Sequence, residues 1–449
     1  MTSYALPRRA AGAAVVLGLV AAAPSDFAAA AAAATSDRTP VGRASVTGPL
    51  PGTVPGDPRS PDTYPFFSTT DDLTKAGYVE QEFIVSGTAD GYDTAGGKVA
   101  GGVPYTTRII VRRPAAAVRF SGTALVEWQN VTAGYDLDAL WDADAVTRAG
   151  HAWIGVSAQR VGVDRLRGWS PARYGDLDVT GGGRFTGDEL SYDIFAQAAK
   201  ALPEAMGGLR IRTTLAVGAS QSAARMTVYY QSVLPKVAPV FDGYAFIVGT
   251  APTRAGDEPV FQVLSETDVR TPDRPADTDR FRRWEVAGAA HSGWRGQQYR
   301  APISVRDLGA APQYACGSPP FSRVPLDHVV AAAYEHLVRW VRRGTPPPVA
   351  PPLLFNTDGT KARDTLGLAA GGIRLSQVSV PTALNTGDNT GETFCRLFGT
   401  HQPFDEAVLR QLYPHRAGYL AKVVQADVGN VRAGYLLPAD AWQNLTGHS

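Results

Sequence analysis

The run TTLAVGASQSAARM (213–226) sets Ser220 between a strand-like apolar segment ending at Gly218 and a stretch of small residues and helix formers. A serine hydroxyl attacks a carbonyl only when a base takes its proton, an acid orients that base, and N–H groups receive the oxyanion. Strand, sharp turn and helix are the setting that exposes such a serine. Gly218 relieves crowding at the turn, and the small Ala223 and Ala224 let helix and strand approach closely. A helix starting here also aims its N-terminal N–H groups at the hydroxyl. The fuller pattern is Gly-x-Ser-x-Gly. Ser222 stands at its last position, so the motif taken alone is weak.

The remaining roles must come from later in the chain. Among seven histidines, His291 in WEVAGAAHSG is the one that follows a strand pattern C-terminal to Ser220, in the order serine, acid, histidine. The strand before it, in VFQVLSETDV (260–269), ends near Ser265 and offers two carboxylates. Asp268 has the better offset from the turn, and Glu266 is the alternative acid; either would hold the Nδ1 proton of the base. The oxyanion site needs two backbone N–H groups. Gln221, next after the serine, supplies one. The loop in EWQNVTAG supplies the other from Asn130 or Val131.

Two further patterns read as non-catalytic. GVSAQRVGV (155–163) also contains Gly-x-Ser, but a Gly-interrupted loop is expected after Ser157 rather than a helix. Asp136, Asp138, Asp142 and Asp144 have helical spacing and read as a solvated face, with Asp136 as an N-cap, rather than a calcium site. No metal or organic cofactor is implied. Trp128 reads as core or pocket wall, and Arg160, Arg165, Arg167 and Arg173 as surface residues. Segment 160–190 and parts of the tail are expected to border the pocket.

The elements that must position these residues alternate. YVEQEFIVSG (78–87) and YTTRIIVRRP (105–114) read as a hairpin with a long Gly-rich loop. Strands then follow at 122–130, 152–159, 213–218, 244–249, 259–265 and 282–288. Helices are expected at 136–150, 191–206, 222–234 and 328–344. This predicts an α/β fold with a mainly parallel sheet flanked by helices, an N-terminal hairpin and a C-terminal decoration. The organisation expected is an export signal (1–34), a catalytic core (35–300) and an extension packed on the same domain (301–449).

The signal reading rests on Arg8 and Arg9 before an apolar segment from Ala10 to Ala23, then the small-residue tract Ala28–Ala34. A twin-arginine signal fits the flanking residues poorly. In an oxidising compartment Cys316 and Cys395 are expected to form one disulfide. The 449 residues carry a net charge of +1 without a basic stripe, which argues against a nucleic-acid partner. No internal segment is long and apolar enough to span a bilayer.

The stretches GYVEQEFIVSGTADGY, GTALVEWQNVTAGYD, AWIGVSAQRVGV, VGASQSAARM, PVFQVLSETDV, WEVAGAAH and LVRWVRRGTPPP together resemble a bacterial family of exported "alpha/beta hydrolase domain" proteins, over roughly 45–440. Similarity to that family implies an α/β-hydrolase fold and a Ser–acid–His triad. It also implies that Gly-x-Ser-Gln-Ser is an ordinary elbow there, and it implies no particular substrate. The resulting expectation is a secreted serine hydrolase acting on a small or polymer-linked carboxylic ester. The rivals are an amidase or lactonase with the same triad, and a non-catalytic binding protein on the scaffold.

Overall fold

A computed structural model describes residues 38–52, 60–392 and 394–446. The expected export signal (1–34) lies outside the described residues. Among the described residues the main sheet has nine strands in the order β1-β2-β3-β5-β4-β6-β7-β8-β9. These are β1 (Ala44–Thr47), β2 (Tyr78–Tyr92), β3 (Lys98–Pro114), β4 (Thr123–Trp128), β5 (Ala152–Val156), β6 (Thr213–Ala219), β7 (Gly243–Ile247), β8 (Val260–Ser265) and β9 (Phe281–Val286). The first three strands and the β3–β5 pair are antiparallel, whereas β5, β4, β6, β7, β8 and β9 run parallel.

The long loop expected in the hairpin is mostly strand. β2 and β3 stay paired from Tyr78↔Pro114 out to Tyr92↔Lys98, with register shifts near Gly91. Glycines that look like a loop in sequence here sit in a twisted, bulged ladder.

Helices cover both faces of the sheet. α1 spans Ala143–Ala149, α2 Arg160–Trp169, α3 Ser191–Ala205, α4 Gln221–Val228, α5 Trp294–Leu308, α6 Leu326–Arg343, α7 Arg416–Ala433 and α8 Pro438–Thr446. On one face Val126, Trp128, Ile154, Phe195 and Tyr244 share a buried cluster; on the other Leu125, Leu215, Val217 and Leu337 do. Trp128 is core: its ring stacks on Phe195 at 4.5 Å between centroids. α6 lies on the sheet and ends at Gly344 in the left-handed conformation (φ 67°). The tail therefore builds one wall of the core, and α5 runs through residue 300, so a division at that point falls inside a helix.

The helix expected at 136–150 is only α1. Asp142, not Asp136, is its N-cap, accepting from the Ala145 N–H, and Gly150 (φ 68°) ends it as expected. Residues 136–141 are pulled away from helical geometry by two devices. Leu137 exchanges backbone hydrogen bonds with Asn130, and the carboxylates of Asp136 and Asp138 turn inward to buried arginines. Arg108 meets Asp136 and Glu82 at 3.4 Å each, and Arg112 meets Asp138 at 2.6 Å and Glu80 at 2.7 Å. The solvated acidic face is thus a correction for those two residues: a buried charge needs a partner, and these have one.

Cys316 and Cys395 form a disulfide across a sequence separation of 79. Closing so long a loop removes entropy from the unfolded chain. Cys316→Ser with Cys395→Ser is expected to lower unfolding stability by about 2–5 kcal/mol. Urea melts of the oxidised protein and the double variant measure the difference.

Candidate active site

In an open parallel sheet, ligands bind outside the carboxyl ends of the strands, where strand order reverses. Here that point lies between β4 and β6, since the chain goes outward from β4 to β5 on one side and from β6 to β9 on the other. Asn130 and Val131 follow β4, Ser220 follows β6, Asp268 follows β8 and His291 follows β9. All sit at that one edge.

Ser220 occupies the tip of the turn between β6 and α4 with φ 56° and ψ −116°, a region costly for a residue with a Cβ. Its surroundings hold it there. The Ser220 N–H donates to the Ile247 carbonyl at 3.0 Å. A Cβ on Gly218 would press on the Ala223 backbone at 3.1 Å, and one on Gly249 would overlap the Ala223 methyl. Ser222 is wholly buried; its hydroxyl donates to the Ala219 carbonyl and accepts from the Ala219 N–H, both at 3.0 Å. The residue that departs from the glycine pattern therefore ties the first turn of α4 back to the end of β6.

His291 Nδ1 and Asp268 Oδ1 are 2.7 Å apart. Ser265 donates to the other oxygen of Asp268 at 2.5 Å. The His291 N–H donates to Thr267 Oγ1, which in turn donates to the Gly387 carbonyl at 2.6 Å. Glu266 points elsewhere. It is fully buried, accepts from the Gly288 N–H at 2.7 Å and pairs with Arg363 at 2.6 Å. Both acids lie in the turn after β8, and their partners separate them: Glu266 is held inside by the Gly288 N–H and Arg363, and Asp268 is held toward the histidine by Ser265.

Asn130 and Val131 differ as donors. The Asn130 N–H bonds the Leu137 carbonyl, while its side-chain amide donates to the Ala219 carbonyl at 2.9 Å. The Val131 N–H faces the Gln221 side chain, donating to its Oε1 at 3.3 Å. Gln159 Nε2 also donates to that oxygen, at 3.1 Å. Gln221 is the first residue of α4, where backbone N–H groups have no partner within the helix.

Ser157 has a different environment from the one expected. A helix, α2, does follow it, with Gln159 at the cap position. Ser157 is nonetheless fully buried, donating to Asp136 at 2.6 Å and accepting from Arg108 Nε at 3.1 Å. Three other histidines are engaged away from Ser220: His151 with Ser121 and Glu335, His336 with the Gly434 carbonyl, His401 with Asn385.

Beneath the loop after β4, Glu127 is buried and accepts from the Leu140 N–H and from Trp153 Nε1. Burial, aided by the nearby Asp138 charge, pushes its carboxyl up to about 8. The folded chain therefore keeps a proton that the unfolded chain releases above its ordinary value of about 4.5. Stability from this group is full below that value and is lost as pH rises toward about 8. Glu127→Gln is expected to flatten the fall in melting temperature between those limits. An unchanged slope across the pH series would show that Glu127 is ionised in the folded state.

Ser220 and His291 line one cavity of about 1160 Å3. Its walls come from α5, α6 and the segments 311–325, 394–398 and 437–439, with Trp294, Tyr314, Phe321 and Phe398 among the lining side chains. Segment 160–190, expected at the pocket, does not line it. Arg173 is not a free surface arginine either, because it pairs with buried Glu82 at 2.6 Å. The aromatic wall escaped sequence reading: residues 294–325 carry Pro302, Gly296 and Gly309 and show little helical periodicity.

A family model described as "Alpha/beta hydrolase domain" matches residues 46–446. A comparison with curated proteins gave no match. Solved structures similar in part include oligopeptidase B from Trypanosoma brucei (13% identity, 39% of this chain and 21% of that one, TM-score 0.25). Others are the carboxylesterase EST55 from Geobacillus stearothermophilus (15% identity, 32% and 29%, TM-score 0.23) and the rice cell wall degrading esterase LipA from Xanthomonas oryzae (13% identity, 38% and 42%, TM-score 0.23). The matched region is less than half the length of each of these proteins.

Proposed function

Because the chain belongs to the alpha/beta hydrolase domain family, we propose that it is an exported serine hydrolase that cleaves carboxylic esters. The observation that carries this reading is the pairing of His291 Nδ1 with Asp268 at 2.7 Å, beside a cavity that also holds the strained Ser220. Asp268 fixes the His291 tautomer, leaving Nε2 as the base. Nε2 takes the Ser220 proton as Oγ bonds to the ester carbonyl carbon. The carbonyl oxygen, now negative, rests on the N–H groups of Gln221 and Val131, replacing the long contact that Val131 makes with the Gln221 side chain. His291 then gives the proton to the departing alkoxide, leaving an acyl-serine and the free alcohol. Water, deprotonated by the same Nε2, attacks the acyl-serine, and the proton returns to Ser220 Oγ as the acid leaves. No metal or organic cofactor enters these steps.

The test is covalent. The mature protein is treated with a fluorophosphonate, digested and mapped by mass spectrometry, in parallel with turnover of short 4-nitrophenyl esters. Modification of Ser220 with matching loss of turnover is the expected result. Turnover that persists with Ser220 fully modified, or a label on another serine, would reject the assignment.

A further inference from the structure

Four arginines line or border the cavity, and three are accounted for. Arg148 pairs with Asp440 at 2.6 Å and Arg295 with Asp327 at 3.0 Å. Arg323 is exposed and lies over the Trp294 ring at 4.8 Å. Arg300 differs. It lies on α5, lines the cavity, and makes one hydrogen bond, from Nη2 to Ser292 Oγ at 2.8 Å. No carboxylate among the described residues pairs with it. The acid whose charge reaches it, Asp138, makes its own bonds to Arg112 and to the Tyr299 hydroxyl.

The guanidinium is housed rather than loose. Gly296, one turn earlier on the helix, leaves the notch it fills: a Cβ there would stand 3.1 Å from Nη1. Tyr135 and Tyr314, both in the cavity wall, lie within its field; burial raises both phenols and the guanidinium pulls against that rise. Ser292, its hydrogen-bond partner, directly follows His291. A half-buried guanidinium that lines a cavity and has no carboxylate partner among the described residues is well matched to a carboxylate.

We propose that the substrate is an ester that also bears a carboxylate, bound by Arg300 between Tyr135 and Tyr314, with its bulky apolar part against Trp294, Phe321 and Phe398. This rests on the hydrolase reading for its chemistry but not for its binding.

Two probe pairs locate the anion. In one it is on the acyl side: the mono-4-nitrophenyl ester of glutarate against the same compound capped as a methyl ester. In the other it is on the alcohol side: the acetate of 3-hydroxybenzoate against that of 3-hydroxybenzamide. In at least one pair the charged member is expected to have a kcat/KM about tenfold or more higher. Arg300→Gln should erase that preference through KM while leaving the neutral member within about threefold, and Arg300→Lys should restore part of it. Gly296→Ala, which crowds the guanidinium, should weaken the preference in the same direction.

A binding arm does not need turnover. Ser220→Ala protein is titrated with benzoate and benzamide by calorimetry, with and without Arg300→Gln; benzoate should bind tighter, and only when Arg300 is present. Equal use of charged and neutral esters in both pairs, or equal binding of acid and amide, overturns the proposal. Neutral esters cleaved without discrimination would sink this inference alone. No cleavage and no fluorophosphonate label, with benzoate still preferred, would sink the hydrolase reading and leave the anion site standing.

Discussion

Ser220→Ala is expected to lower kcat on a short activated ester by about 10⁵–10⁶-fold, the scale seen when a triad nucleophile is removed. The loss should fall on kcat rather than KM, because the aromatic wall and the N–H groups of Gln221 and Val131 remain. Stability should not fall with it. The wild-type serine sits at φ 56°, and the alanine removes no hydrogen bond to the Ser220 side chain among those found in the described residues. Steady-state kinetics and a thermal melt on the same preparation separate the two effects. A variant within tenfold of wild type would mean that the elbow is architecture and not chemistry.

Asp268→Asn carries the second large effect. The amide preserves shape but no longer requires a proton on the facing nitrogen, so the imidazole is free to present the wrong tautomer to Ser220. The expected cost is about 10⁴-fold in kcat, partly recovered at high pH if hydroxide can replace the missing base. Glu266→Gln is the control, two residues away. Glu266 holds the Gly288 N–H and, with Asp388, Arg363, so its neutralisation should cost stability by removing one of the two carboxylates on Arg363 while leaving kcat within a few-fold. If the two variants exchange these outcomes, the acid has been misassigned. If both leave kcat intact, His291 is not the base.

The contrast between those neighbours shows where sequence reading stops. That a carboxylate should follow β8 and a histidine follow β9 is legible because a parallel sheet delivers every strand's carboxyl end to one edge. The strand patterns are strong: β4, β6, β7 and β8 are runs of buried residues. Which of two acids turns toward the ring depends on their neighbours Ser265 and Thr267 and on Gly288 and Arg363, residues from three places in the chain. In the same way Asn130 and Val131 are adjacent in sequence, yet the Leu137 carbonyl takes one N–H and leaves the other facing Gln221.

The aspartates after β4 make the point from the opposite side. Read locally, Asp136 and Asp138 have the spacing and polarity of an exposed helical face. Arg108 and Arg112, from β3, draw both inside and prevent the helix from starting before Asp142. Local propensity amounts to tenths of a kcal/mol per residue, whereas leaving a buried arginine unpaired costs several, so the distant partner wins.

Sequence by itself determined the alternation of strands and helices, the sharp turn at Ser220, the helix stops at Gly150 and Gly344, and the order in which hydroxyl, carboxylate and imidazole arrive at the sheet edge. The first three are decided by neighbours within a few residues, and the last follows from parallel strands ending at one edge. The tertiary structure alone decided the rest: the commitment of Glu266 to Arg363, the inward turn of Asp136 and Asp138, and the aromatic cavity with Arg300, which has no carboxylate partner among the described residues. Those depend on which side chains meet after the chain has folded back on itself, and a pairing between distant elements leaves no trace in local periodicity.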